Sequence, residues 1–301
     1  MKTIHRLLAS IALIISCSIL HAQDGKESVT VSFSFEQFRT PTLQLPYRQA
    51  VISVDFEPTK LIIYLHGGTS KGNDNVAQMN EPGIYSIAQY VSSHQMDAVF
   101  IVPQCPQTDS WGGRLTETLK ALIDDRLEYF HNIKDIYIFG GSMGGTGTWT
   151  MISKYPDFFS AAMPVAGNPS KCDVNAVATT PLFTVMGTDD RIMGMSAVND
   201  FTLQLKSLGA KYMFEIEEGW SHEDTCIKSY TDNRLSWVFS NEKQDESGIA
   251  DTFLDRHSVK ETKYWTLSGI PVNNPSNGFY IVQETYSDLS VKTYKVYMND
   301  L

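Results

Sequence analysis

Gly140-Gly141-Ser142-Met143-Gly144 fits Gly-x-Ser-x-Gly, a spacing that can make a nucleophile of a serine hydroxyl. The apolar residues 136–139 before it predict a strand, and the residues behind it predict a helix to about Lys154. In so tight a strand-to-helix turn the small neighbours permit close packing, and the serine Oγ stands exposed at the carboxyl end of a sheet. The helix N-terminus and the Met143 amide then face the place where negative charge would develop on a substrate oxygen. A serine hydroxyl is a weak nucleophile near neutral pH. It needs a base within hydrogen-bond reach, and the base needs an acid to hold its tautomer.

Only His222 and His257 follow Ser142. In turns of this kind the chain order is serine, acid, histidine. His257 falls past a polar linker, whereas His222 follows the last expected sheet strand in Gly219-Trp220-Ser221-His222, so His222 is the candidate base. Asp157, Asp173, Asp189, Asp190 and Asp200 lie between serine and base, and Asp189 and Asp190 directly follow the apolar run 182–186. Position alone does not separate those two. The second oxyanion donor is expected from the loop after the run 60–65, where His66-Gly67-Gly68-Thr69 offers backbone amides, Gly68 foremost. His66 is read as a residue that hydrogen-bonds its own loop. Trp111 and Trp220 are candidate walls for an acyl or sugar group, with core packing as the alternative. This chemistry requires no metal or organic cofactor.

These residues need a frame. Residues 28–38 alternate, with Val29, Val31, Phe33 and Phe35 on one side, which predicts a half-buried strand, and 43–54 holds one or two more. The continuous apolar runs 60–65, 98–102, 136–139, 161–165 and 182–186 fit strands covered on both faces, and 212–216 is a last strand before a loop holding His222. Helical spacing appears over 84–93, 116–130 and 196–208. Strands alternating with helices predict an α/β fold, doubly wound around a mainly parallel sheet, with an antiparallel N-terminal edge. Past Asn241 the polar stretch 241–251 reads as a linker, and 264–267, 279–282 and 291–296 as three strands of a small C-terminal β module.

At the other end, Lys2 and Arg6 precede an apolar run over 7–20, the length of a signal-peptide core and too short to span a bilayer of roughly 30 Å. Cleavage after Ala22 is the leading expectation, and a lipobox ending at Cys17 is the rival. The expected division is a signal over 1–22, a catalytic domain over 23–240, a linker over 241–251 and the β module over 252–301. An exported, secreted or cell-surface chain follows. Beyond Cys17 there remain Cys105, Cys172 and Cys226, read as reduced thiols, with a Cys172–Cys226 bridge as the alternative.

Of 301 residues, 42% are apolar and 19% charged, as in a packed globular chain. The formal charge of −10 becomes −12 once Lys2 and Arg6 are removed, so the field repels phosphate backbones and no nucleic-acid partner is expected.

Tyr64-Leu65-His66-Gly67-Gly68, Lys71-Gly72-Asn73-Asp74-Asn75, Pro103-Gln104-Cys105-Pro106 with Trp111 downstream, and the run from Gly141 through Ser142 to Trp149 occur in that order. Together they resemble the dienelactone-hydrolase and prolyl-oligopeptidase-like branch of the α/β-hydrolases, over about 45–239. The branch includes secreted bacterial carboxylesterases and feruloyl or acetyl-xylan esterases. The resemblance implies Asp190 as the acid, because the branch usually places it three residues after the glycine of a Gly-x-x-Asp motif. Met186 and Arg191-Ile192 depart from the branch, where His and Pro-Val are frequent, and bear on the shape of that loop. Hydrolysis of small-molecule or polysaccharide-borne esters, acetyl or feruloyl, is the implied activity. A serine peptidase is one alternative, which a propeller or gating domain would favour, and no such domain is expected in these 301 residues. A non-catalytic carbohydrate-binding protein on a hydrolase scaffold is the other, and the intact Ser142, Asp190 and His222 argue against it. Residues 265–269, 278–282 and 292–296 resemble the C-terminal sorting modules of Bacteroidota exported by type IX secretion, which implies contact with secretion machinery.

Overall fold

The computed structural model describes residues 31–40, 43–53, 57–243, 259–276, 278–286 and 291–298. The signal, its cleavage site, Cys17 and most of the linker lie outside these residues. The chain divides into two compact units, the first ending at Lys243 and the second beginning at Gln244.

The first unit is built on eight strands, β1 (Ser34–Arg39), β2 (Gln44–Ile52), β3 (Lys60–Leu65), β4 (Ala98–Pro103), β5 (Asp135–Gly141), β6 (Ala161–Val165), β7 (Leu182–Gly187) and β8 (Tyr212–Glu217). They stand in the order β1-β2-β4-β3-β5-β6-β7-β8. β2 is antiparallel to both neighbours, and every pair from β4 to β8 is parallel. The wholly apolar runs take the middle: in β4, β5, β6 and β7 every residue is buried. β8 holds only half-buried and exposed residues, as an edge strand does.

Alternation along β3 sends side chains to opposite faces of the sheet. Leu61, Ile63 and Leu65 join a core with Leu115, Leu119, Leu122 and Ile123 of α2 (Arg114–Tyr129), Trp149 and Ile152 of α3 (Met143–Lys154) and Phe201 and Leu205 of a third helix, Met195–Ser207. Ile62 and Tyr64 join a second core with Ile84, Ile87 and Val91 of α1 (Pro82–Ser93) and with Leu235, Val238 and Phe239 of a helix over Asp232–Phe239. Each large side chain so buried stabilises by about 2 kcal/mol.

The structure corrects the expected elements in several places. A short helix, α4 (Val174–Val177), capped by the Asp173 carboxylate, precedes Met195–Ser207, which is therefore α5. The expected loop holding His222 is a helix, α6 (His222–Lys228), and Asp232–Phe239 follows as α7. Ser221-His222-Glu223-Asp224 is a capping box, a local signal that starts a helix here in place of the expected loop. At the N-terminal edge only part of the expected alternation holds: Phe33 packs edge-on against Phe100, but Phe35 turns outward under the Arg48 guanidinium.

The second unit contains β9 (Val259–Thr266), a two-residue strand β10 (Pro271–Val272), β11 (Gly278–Tyr286) and β12 (Val291–Met298), all antiparallel in the order β10-β9-β11-β12. Among the described residues no helix is long and apolar enough to cross a membrane.

Candidate active site

Ser142 joins β5 to α3 with φ 58° and ψ −120°. Outside glycine such a backbone costs about 1–3 kcal/mol and persists only where the surroundings impose it. Here the Ser142 N–H donates to Val165 O of β6 at 3.0 Å, and the Thr146 N–H donates to Ser142 O at 3.0 Å. The first turn of α3 presses so closely on the sheet that a Cβ on Gly144 would fall 1.7 Å from the Leu65 carbonyl oxygen. Glycine there is a packing requirement.

His222 and Asp190 come to this serine from two other strand ends. His222 Nε2 lies 2.8 Å from Ser142 Oγ, and its Nδ1 lies 2.8 Å from Asp190 Oδ2. The Asp190 side chain is fully buried, and its Oδ1 accepts the N–H groups of Ile192 and Met193, each at 2.9 Å. With Oδ1 occupied by two backbone donors, Oδ2 is left to accept the imidazole N–H. Asp189 is exposed, and only its backbone N–H is tied in, to Trp220 O at 3.0 Å. Of the two neighbouring aspartates left open by position, Asp190 is the one brought to His222.

Met143 is the first residue of α3, so its N–H has no intrahelical acceptor and points off the helix start beside Ser142. Opposite it runs the loop after β3. A Cβ on Gly67 would lie 3.6 Å from Ser142 Cβ, and the Gly67 N–H donates to Glu81 Oε1 at 3.0 Å. Gly68 follows as the start of a 3-10 turn, Gly68–Ser70, with open space where its Cβ would be.

His66 is wholly buried. Its Nδ1 donates to Gly67 O at 2.7 Å and its Nε2 accepts the Cys105 N–H at 2.9 Å, which fixes one neutral tautomer. Burial pushes its pKa down to about 4. Both ring nitrogens hold backbone, as expected of a loop-holding residue. Behind it, buried Gln104 accepts the Asn75 N–H at 2.7 Å and donates to Asp74 Oδ1 at 2.7 Å, while the Asn75 amide donates to Tyr47 O and Glu36 O. Gln104 and Asn75 belong to motifs noted in the sequence, but their work in bracing this loop shows only in three dimensions.

Trp111 is not a wall of the site. It is 5% exposed, its indole N–H donates to His66 O at 2.9 Å, and a Cβ on Gly147 would lie 2.3 Å from its own Cβ. The ring is core that ties α3 to the His66 loop. Trp220 is half-buried, with Lys228 Nζ 5.7 Å and the Arg234 guanidinium carbon 5.6 Å from its ring centroid.

All three described cysteines are free thiols. Cys172 packs on the α2–α3–α5 core and Cys226 on the α1–α7 core, on opposite faces of the sheet, so the alternative bridge does not form. Among the described residues, no group of three or more His, Cys, Asp or Glu is placed to hold a metal ion.

An eight-stranded, mainly parallel sheet with helices on both faces, and a serine, a histidine and an aspartate bonded in series at its carboxyl edge, define an α/β-hydrolase. The profile of the Esterase family matches residues 62–262, well over half of the chain, and the chain belongs to that family. A solved thermostable esterase is similar at 25% identity and a TM-score of 0.65, over 70% of this chain and 63% of that one. The feruloyl esterase module from Clostridium thermocellum complexed with sinapinate shares the fold at 13% identity and a TM-score of 0.57, over 70% of this chain and 89% of that one. A stretch of 71 residues is 37% identical to poly(3-hydroxyalkanoate) depolymerase C of Paucimonas lemoignei, covering 23% of this chain and 16% of the depolymerase. The chain therefore spans under two thirds of the thermostable esterase and about a sixth of the depolymerase.

Proposed function

We propose that this chain hydrolyses carboxylic esters through an acyl-enzyme on Ser142. The observation that carries the reading is the unbroken series from Ser142 Oγ to His222 Nε2 and from His222 Nδ1 to the buried Asp190 carboxylate, each step 2.8 Å. His222 takes the hydroxyl proton as Oγ bonds to the ester carbon, and the oxyanion rests on the amides of Met143 and Gly68. His222 then gives that proton to the departing alcohol. Water, deprotonated by the same imidazole, attacks the acyl-serine, releases the acid and restores the hydroxyl. Asp190 keeps the imidazole oriented and stabilises its charged form without itself taking the proton.

Acetyl or feruloyl esters of sugars are the substrate class we favour, supported by the sequence resemblance and by the feruloyl esterase among the structural neighbours. Export is supported by the basic residues and apolar run at the start of the chain, and a sorting role for the last strands by their resemblance to type IX modules. Two measurements test the catalytic reading. A fluorophosphonate probe should label the parent at Ser142 and leave Ser142→Ala unlabelled. A panel of acetyl, feruloyl, p-nitrophenyl and 3-hydroxyalkanoate esters should be hydrolysed by the parent alone. Activity that survives Ser142→Ala would sink the assignment.

A further inference from the structure

Glu81 stands just before Pro82 at the start of α1, and its side chain makes no hydrogen bond to the first turn of that helix. It crosses to the loop after β3. Its Oε1 accepts the Gly67 N–H at 3.0 Å and the Ser70 hydroxyl at 2.8 Å. Those two donors bracket Gly68, so one carboxylate oxygen pins the turn on both sides of that residue.

The start of α1 is itself held in place. A Cβ on Gly83 would fall 2.4 Å from the Tyr230 ring, and Tyr230 follows α6, the helix that His222 opens. The carboxylate is thus anchored beside the histidine helix while it grips the loop. Two successive glycines give that loop many backbone alternatives, including ones in which the Gly67 amide, not that of Gly68, turns toward Ser142. A charge-assisted bond to Gly67 removes that alternative.

We propose that Glu81 is a positioning residue, which by holding Gly67 and Ser70 aims the Gly68 amide at the oxyanion. This rests on the reading of Ser142 as nucleophile and Gly68 as an oxyanion donor. Because the oxyanion exists only after attack, the effect belongs in kcat and in the binding of tetrahedral adducts, with KM little changed.

The test uses the full chain with Glu81→Ala, Glu81→Gln and Ser70→Ala. Turnover of p-nitrophenyl acetate, inhibition by a trifluoromethyl ketone, thermal midpoints and the Gly67 amide proton shift are read for each. Glu81→Ala should lower kcat about 10–100-fold, keep KM within about twofold, weaken the ketone by the same factor as kcat and move the Gly67 amide proton upfield. Glu81→Gln, which keeps an acceptor oxygen, should recover kcat to within about fivefold of the parent, and Ser70→Ala should fall between, which carries the test if Glu81→Ala does not fold. Parental kcat in Glu81→Ala, or a rise in KM with kcat intact, overturns the proposal while the esterase reading stands. Equal losses in kcat for Glu81→Gln and Glu81→Ala would overturn it as well. A parent that neither turns over esters nor takes the fluorophosphonate label overturns both.

Discussion

The Trp220 carbonyl oxygen would lie 2.2 Å from any Cβ placed on Gly187. That contact carries His222 home. β8 is three strands from β5, so the chain leaving β8 must double back across the end of β7 to bring His222 within 2.8 Å of Ser142. It crosses at Gly187, and the Asp189 N–H to Trp220 O bond fastens the crossing. The nearest atoms are Trp220 backbone, with Thr225 Oγ1 only 2.6 Å away, so Gly187→Ala must displace the segment that carries His222. Expected are a thermal midpoint lower by roughly 4–10 °C and a kcat lower by about 100-fold. Calorimetry and ester kinetics on the same preparation would check both. Parental kcat would show that the crossing does not position His222.

The aspartate pair gives a second, paired prediction. Asp190→Asn leaves the shape of the side chain but changes what it offers to Nδ1, so kcat should fall by about four orders of magnitude with the fold intact. Asp189→Asn, on an exposed side chain, should stay within about twofold. Reversal of the two effects would reassign the acid.

His66 makes stability depend on acid. Its folded pKa is about 4 against an ordinary 6.5. Between those values the unfolded chain binds a proton that the folded chain does not, so stability falls as pH drops through the window. The loss reaches on the order of 3 kcal/mol near its lower end. His66→Gln cannot titrate. It should be less stable at pH 8 but show a flatter decline from pH 6.5 to 4 in urea melts. Parallel curves for parent and variant would remove His66 as the source.

Burial also governs the thiols. It pushes Cys105 and Cys226 up to about 12 and Cys172 up to about 11, so few are thiolate at pH 8. Iodoacetamide should therefore modify these three slowly in the folded protein and quickly in denaturant, read by peptide mass mapping. The same map without reductant should contain no peptide joining Cys172 to Cys226.

Much of this was legible in one dimension because the signals are local. Gly140 to Gly145 describe a turn whose tightness needs small residues, and the βα alternation from Lys60 to Glu217 dictates a parallel sheet whose strand ends gather at one edge. Once the edge is defined, a serine, an aspartate pair and a histidine each placed just past a strand must converge there. What sequence left open depended on partners distant in the chain. Asp189 and Asp190 share a neighbourhood in sequence, and only the turn made by Ile192, Met193 and Trp220 decides which side chain points inward. Trp111 could have lined a pocket until Gly147 of α3 and His66 of the β3 loop closed around it. Neither Glu81 nor Gly187 carries a signal in the sequence readings, which take the helix from residue 84 and the strand to residue 186. Their work appears only when a loop from elsewhere is folded against them, because close packing, unlike periodicity, is a property of pairs of segments that the sequence keeps apart.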